Sequence, residues 1–93
     1  MSIRFEFDRA KSKANKEKHG IDFEEAQELW EDNKRVEGPG KTRGEQRFVV
    51  VGRTHNEIWT AVITYRHENI RIISVRRESK EEASLYESAQ TES

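Results

Sequence analysis

Lys18-His19-Gly20-Ile21-Asp22-Phe23-Glu24-Glu25-Ala26 ends one helix and opens another within a single short stretch. Gly20 suits the left-handed residue that follows a helix, and Ile21 supplies the apolar contact that often accompanies it. Asp22 then reads as an N-cap, and Glu25 three residues on completes an acidic capping box. Lys18 and His19 fall in the last turn of the first helix. Positive groups there favour the helix dipole, and they are equally well placed to meet a phosphate.

Working outward toward the N-terminus, Ile3, Phe5 and Phe7 alternate with Arg4 and Glu6, the pattern of a short half-buried strand. Asp8 caps a helix over Arg9 to His19, whose thin apolar face is Ala10 and Ala14. In the other direction a second helix runs from Phe23 to about Asp32, with Phe23, Ala26, Leu29 and Trp30 on one stripe. Asn33 to Gly44 is loop-like around Gly38-Pro39-Gly40, with Arg35-Val36-Glu37 as a short edge strand. Arg47 to Arg53, Ile58 to Arg66 and Ile70 to Arg76 read as three strands. The turns Thr54-His55-Asn56-Glu57 and His67-Glu68-Asn69 are too short for a parallel return, so these strands are antiparallel neighbours. Ser79 with Glu82 forms another capping box for a last helix to about Ala89, buried through Ala83, Tyr86 and Leu85. The fold class is α+β: an antiparallel sheet of about four strands, with two N-terminal helices and one C-terminal helix on one face.

The chain's 93 residues make one domain, with a polar tail from about Ser88. Apolar residues are 32% and charged residues 38%, but the apolar ones cluster in the strands, as a folded core requires. The net charge of −1 averages opposed blocks. Residues 1–21 and 38–77 are basic, whereas residues 22–37 and 78–93 are acidic. Basic blocks suit an anionic ligand, and the alternation suits an oppositely charged protein partner. The absence of cysteine excludes disulfides, thiol catalysis and Cys-based zinc sites, and fits the cytoplasm. Three scattered His residues give no metal-binding spacing, and no cofactor motif is present. No apolar run approaches a membrane span.

The strands carry arginines where a plain core would not. Arg47 opens one strand, Arg66 closes the next, and Arg71 and Arg76-Arg77 lie in the last. By strict alternation Arg76 shares a face with Ser74, and Arg71 shares the other with Ile73 and Val75. Arginines on an uncovered face hold phosphate in bidentate fashion. The plainer reading is surface ion pairs with Glu45, Glu57 or Glu68.

Phe5-Glu6-Phe7-Asp8, Lys11, Asn15, Lys18-His19-Gly20-Ile21 and Phe23-Glu24-Glu25-Ala26 occur in order with Gly44-Glu45, Arg47, Gly52, Thr64 and Arg66. Arg71-Ile72-Ile73-Ser74, Arg76, Glu82 and Tyr86 follow. This ordered set resembles BrnT-family toxins, the ribonuclease half of a bacterial type II toxin–antitoxin pair. The resemblance implies a RelE-like fold and an RNA substrate. It also implies a cognate BrnA-like antitoxin with a ribbon-helix-helix end, through which alone operator DNA is met.

RNA is cut without a metal when its own 2′-hydroxyl attacks the adjacent phosphate. The enzyme must then move two protons and stabilise the added negative charge. The match to the family pattern puts Lys18, His19, Glu45, Arg47, Arg66, Arg71 and Arg76 forward as the catalytic set. Lys11, Arg77 and Tyr86 join them as RNA-binding residues. His19 suits proton transfer near neutral pH, and is equally readable as a structural residue before the capping glycine. His55 and His67 read as turn residues. Three departures from the pattern stand out: Phe7 replaces a common Trp, Val75 replaces a small Ala, and Glu81, Ala83 and Ser84 replace arginines. The alternative is a non-catalytic nucleic-acid or protein-binding module, because the residues alone give no unmistakable acid–base pair. A transcription regulator acting alone ranks last, for want of a recognition helix.

Overall fold

The computed structural model describes residues 3–91. β1 (Arg4–Glu6) leads into α1 (Arg9–His19), a 3₁₀ helix (Glu25–Glu31), β2 (Val36–Pro39), β3 (Phe48–Thr54), β4 (Glu57–Arg66), β5 (Asn69–Arg77) and α2 (Lys80–Thr91). The sheet has five strands in the order β1-β5-β4-β3-β2. β2 to β5 form an antiparallel meander, but β1 pairs with β5 in parallel, Arg4 opposite Asn69 and Glu6 opposite Arg71. The class is therefore α+β, while the four-stranded antiparallel sheet is corrected to a mixed five-stranded one. A parallel neighbour needs a long crossover, and the whole chain between β1 and β5 supplies it.

The capping signals hold. Asp8 accepts from the backbone N–H groups of Ala10 and Lys11 at 2.8 and 3.1 Å. Gly20 ends α1 at φ +87°, and its N–H donates to the Lys16 carbonyl. Asp22 and Glu25 each accept from the other's backbone N–H, at 2.8 and 3.0 Å. Ser79 and Glu82 repeat that reciprocal pair at the start of α2.

What α1 buries differs from the apolar pattern. Ala10 and Ala14 are exposed, and the buried residues are Ser12 and Asn15. Ser12 Oγ accepts from the Phe23 N–H at 2.9 Å. The Asn15 amide donates to the carbonyls of Ile21 and Val75 at 2.8 and 2.9 Å, and accepts from the Val75 N–H at 3.2 Å. β1 stops opposite Arg71, so beyond it the outer backbone groups of β5 lack a strand. Asn15 takes the place of that missing strand at Val75.

The second helix is 3₁₀ rather than α. Residues three apart eclipse in a 3₁₀ helix, so Ala26 and Leu29 share one face of it and Phe23 joins them from the preceding turn, all at most 1% exposed. Trp30 falls off that face and is half-buried. Gly52 on β3 allows the close approach: a Cβ there would lie 3.3 Å from the Leu29 carbonyl oxygen.

The main core lies between this helical layer and one face of the sheet. It joins Ile21, Phe23, Ala26 and Leu29 to Val50, Trp59, Ala61, Ile63, Ile70, Ile72 and Val75. Phe5 and Phe7 close it through edge-to-face contacts with Trp30 and Phe23. α2 does not join that layer. Its Glu82 bonds Thr60 and Arg76, which pair across β4 and β5 and point away from the main core. Val51, beside Thr60, is buried outside the main cluster, as is Tyr86 of α2. The helices thus cover both faces, not one. Leu85 is 56% exposed, so Ala83 and Tyr86 seat α2 without it. Helix α2 continues to Thr91, so Ala89 to Thr91 belong to the helix, and the rest of the expected tail lies outside the described residues. Gly38 and Pro39, expected in a loop, belong to edge strand β2. No described helix is long and apolar enough to cross a membrane.

Candidate nucleic-acid interface

A single irregularity in β5 decides where its arginines face. Ser74 pairs with Val62, but Ile72 pairs with Ile63, so Ile73 is an extra residue between the two registers. A bulge of this kind shifts the side-chain alternation by one. Val75, Ile72 and Ile70 consequently all face the main core. Arg76, Ser74 and Arg71 all face the other side, opposite Thr60, Val62 and Thr64. Arg71 is not grouped with Ile73 and Val75, as strict alternation predicts, but with Arg76.

On β3 the core-facing residues are Phe48 and Val50, so alternation turns Arg47 to the same outer side. Continuing the β3–β4 register one step sets Arg47 opposite Thr64. The Thr64 hydroxyl donates to the Gln46 carbonyl at 2.8 Å and fixes this start of the strand. One rung therefore reads Glu6, Arg71, Thr64, Arg47 across four strands. Arg66 ends β4 beside it. Toward α2, half-buried Ser74, Val62 and Val49 form a less charged middle, and Arg76 stands at the far side.

Each cation has a different commitment. Arg76 grips Glu82 with two bonds, 2.8 and 2.9 Å. Glu82 also accepts from the Thr60 hydroxyl and the Ser79 N–H, at 2.8 and 2.7 Å. Chiefly through Arg76, these bonds hold the Glu82 carboxyl down at about 2, and Glu82 in turn raises the Arg76 guanidinium. The other pairs are looser: Arg71 to Glu6 at 3.6 Å and Arg66 to Glu45 at 3.5 Å, with solvent around them. Exposed pairs of that geometry contribute about 0–1 kcal/mol, so a phosphate can exchange for the carboxylate. Arg47 is the exception. Its Nε is buried and has no hydrogen-bond partner among the described residues. A buried donor left unmet costs about 1–3 kcal/mol.

The remaining candidates are not drawn into this cluster. Lys11 and Lys18 are exposed on α1, and His19 is half-buried in its last turn. Among the described residues no bond links these three side chains to the arginines. Arg77 faces the opposite way, 5.4 Å over the Trp59 ring, and pairs with Glu57 and Glu78. Tyr86 is buried, and its hydroxyl donates to Asp32 at 2.6 Å. Burial pushes the Tyr86 hydroxyl up, as does Asp32. At Asp32 burial works against ionisation, but bonds from Tyr86, Lys34 and Arg53 outweigh it and leave the carboxyl below its ordinary value. His55 and His67 sit in turns at positive φ. Among the described residues no three His, Asp or Glu side chains converge as metal ligands would.

Sequence reasoning missed Glu82, Glu6 and Asn15 as residues that position others. Glu82 was legible as half of a capping box and as a residue of the family pattern, but not as the partner of Arg76 six residues before it.

Residues 7–82 match the family described as the ribonuclease toxin, BrnT, of type II toxin–antitoxin systems. The chain belongs to the BrnT family. It is thereby placed among ribonuclease toxins whose substrate class is RNA and whose partner is an antitoxin. No curated protein matches it in sequence. For a BrnT toxin the match is extensive: it takes in α1, the 3₁₀ helix, β2 to β5 and the start of α2, and so the whole arginine-bearing face.

Proposed function

We propose that the chain is a metal-independent endoribonuclease toxin that acts in the cytoplasm and stops translation by cutting RNA. The scissile phosphate would lie on the outer face of β3 to β5, held by Arg47, Arg71 and Arg66, with Arg76 at its far side. The RNA 2′-oxygen attacks phosphorus and loses its proton to a base. The bond from phosphorus to the 5′-oxygen breaks, and that oxygen takes up a proton. The products are a cyclic phosphate and a 5′-hydroxyl. Guanidinium groups stabilise the added charge by being fixed in advance, and His19, Lys18 and Glu45 are the candidates for moving protons. Lys11, Arg77 and Tyr86 lie outside the cluster and would contribute to RNA binding only at longer range. The gathering of Arg47, Arg71 and Arg66 on one outer face, with only loose carboxylate partners for Arg71 and Arg66, is the observation that supports this reading.

The partner would be a BrnA-like antitoxin with a ribbon-helix-helix end, and operator DNA would be bound only through it. The carboxylates paired to Arg66, Arg71 and Arg76 favour a second reading, a binding module without catalysis. Incubating the purified protein with RNA and excess chelator separates the two. Cleavage that leaves cyclic phosphate ends, and that falls about 10²-fold or more in Arg71→Ala and Arg47→Ala, supports the nuclease. Binding without cleavage gives the module, and cleavage abolished by chelator refutes metal independence.

A further inference from the structure

On the side of the molecule away from the arginine face, a groove of about 520 Å³ runs between β1 and the 3₁₀ helix. Its floor is Ile3, Phe5 and Trp30, and its rim carries Glu24, Glu28 and Glu31. Ile3 is 48% exposed, one of only three large apolar side chains so exposed among the described residues. The Phe5 and Trp30 rings meet edge-to-face, 4.9 Å apart, and make a firm, half-buried floor beside it. In a chain this rich in charge, a contiguous apolar floor is the kind of surface that marks a protein contact.

The rim states what kind of contact. No Lys or Arg occurs between Asp22 and Asp32. Glu24 and Glu31 have no ion pair or hydrogen bond to their side chains among the described residues, and Glu28 meets only His55, at 3.1 Å. The acids therefore repel one another with no internal cation to offset them. The complementary occupant has apolar residues along one side and Lys or Arg flanking them. RNA is repelled by such a rim. A second copy is a poor fit, since its basic helix α1 exposes only Ala10 and Ala14 as apolar surface.

We propose that this groove receives a basic amphipathic segment of the cognate antitoxin. The proposal rests on the family's toxin–antitoxin pairing and not on the catalytic assignment. β1 is an edge strand, and its Glu6 already touches Arg71 on the neighbouring strand. A segment leaving the groove across β1 therefore arrives at the arginine face, so one continuous chain can both anchor and inhibit.

The test uses the full-length toxin and the purified antitoxin encoded beside it, titrated at low and high salt. The readouts are affinity, Trp30 fluorescence and RNA cleavage by the free toxin. In the triple variant Glu24→Lys/Glu28→Lys/Glu31→Lys, affinity falls 100-fold or more, most steeply at low salt, and RNA cleavage is retained. Ile3→Asp, which touches no rim charge, also weakens binding at least tenfold. Wild-type affinity in the triple variant overturns the proposal. So does a change in self-association in place of antitoxin binding, which makes a second copy the occupant. Absence of cleavage by the wild-type toxin removes the nuclease reading alone, because affinity is measured separately.

Discussion

The side-chain amide of Asn15 donates and accepts at once, which is the bonding capacity of a peptide group. It meets both outward backbone groups of Val75 and the carbonyl of Ile21. Asn15→Ala orphans three buried backbone groups, so urea unfolding should show a loss of about 2–4 kcal/mol. Asn15→Asp should lose a comparable amount, because a carboxylate cannot donate to either carbonyl. At Gly20 no atom lies within 4 Å of an added Cβ, so only the backbone at φ +87° resists substitution. Gly20→Ala should therefore cost about 1 kcal/mol and no more, measured the same way. Gly20 and the three caps were plain in the sequence because each acts within a few residues. Asn15 was visible in the family pattern, but its task was not. Hydropathy looks for apolar faces, and α1 is held by two polar residues that find partners far along the chain.

Elements were legible where their period was uninterrupted. The α1 boundaries and the two-residue turns at His55-Asn56 and His67-Glu68 came directly from the sequence, as did β3 and β4 to within a residue. The 3₁₀ helix was misread because Phe23, Ala26, Leu29 and Trp30 fit an α stripe, while their burial follows the three-residue spacing alone. β5 was misread because a bulge leaves no mark on hydropathy: Ile72, Ile73 and Val75 are all apolar, and only pairing reveals which one is extra. Deleting Ile73 would remove only the extra residue, leaving Ile72 opposite Ile63 and Arg71 opposite Thr64 on the outer face. No charge is buried by that change, so the variant should keep the wild-type far-UV circular dichroism spectrum. For α2 the decisive contact is Glu82, only 12% exposed. Its carboxyl, lowered from 4.5 to about 2 in the folded chain, stabilises the native state fully above pH 4.5. That contribution, on the order of 3 kcal/mol by linkage, disappears as pH falls from there toward 2. A urea-midpoint series across that range should fall for the wild type and be flatter for Glu82→Gln.

The molecule as a whole divides its chemistry between two sides. Arginines collect on the outer face of the sheet, and the carboxylates Glu24, Glu28 and Glu31 collect along the 3₁₀ helix on the other, an arrangement hidden in a net charge of −1. Charge blocks were readable from the chain, but not which carboxylate neutralises which arginine. The Glu6–Arg71 pairing crosses from β1 to β5, a distance no local window spans, while Arg76 and Glu82 are six residues apart and meet only because the chain turns between β5 and α2. The looser pairs carry a prediction. RNA binding should weaken steeply with salt, and Arg66→Ala should reduce the slope of log affinity against log salt by about 0.7, measured by fluorescence anisotropy. Arg77→Ala, on the wrong side of the sheet, should leave that slope nearly unchanged. The parallel pairing of β1 with β5 has one more result. Residue 4 waits for residue 69, so a nascent chain still on the ribosome holds β1 without a neighbour until β5 has emerged. A toxin built in this order cannot complete itself early, and its would-be inhibitor gains that interval in which to arrive.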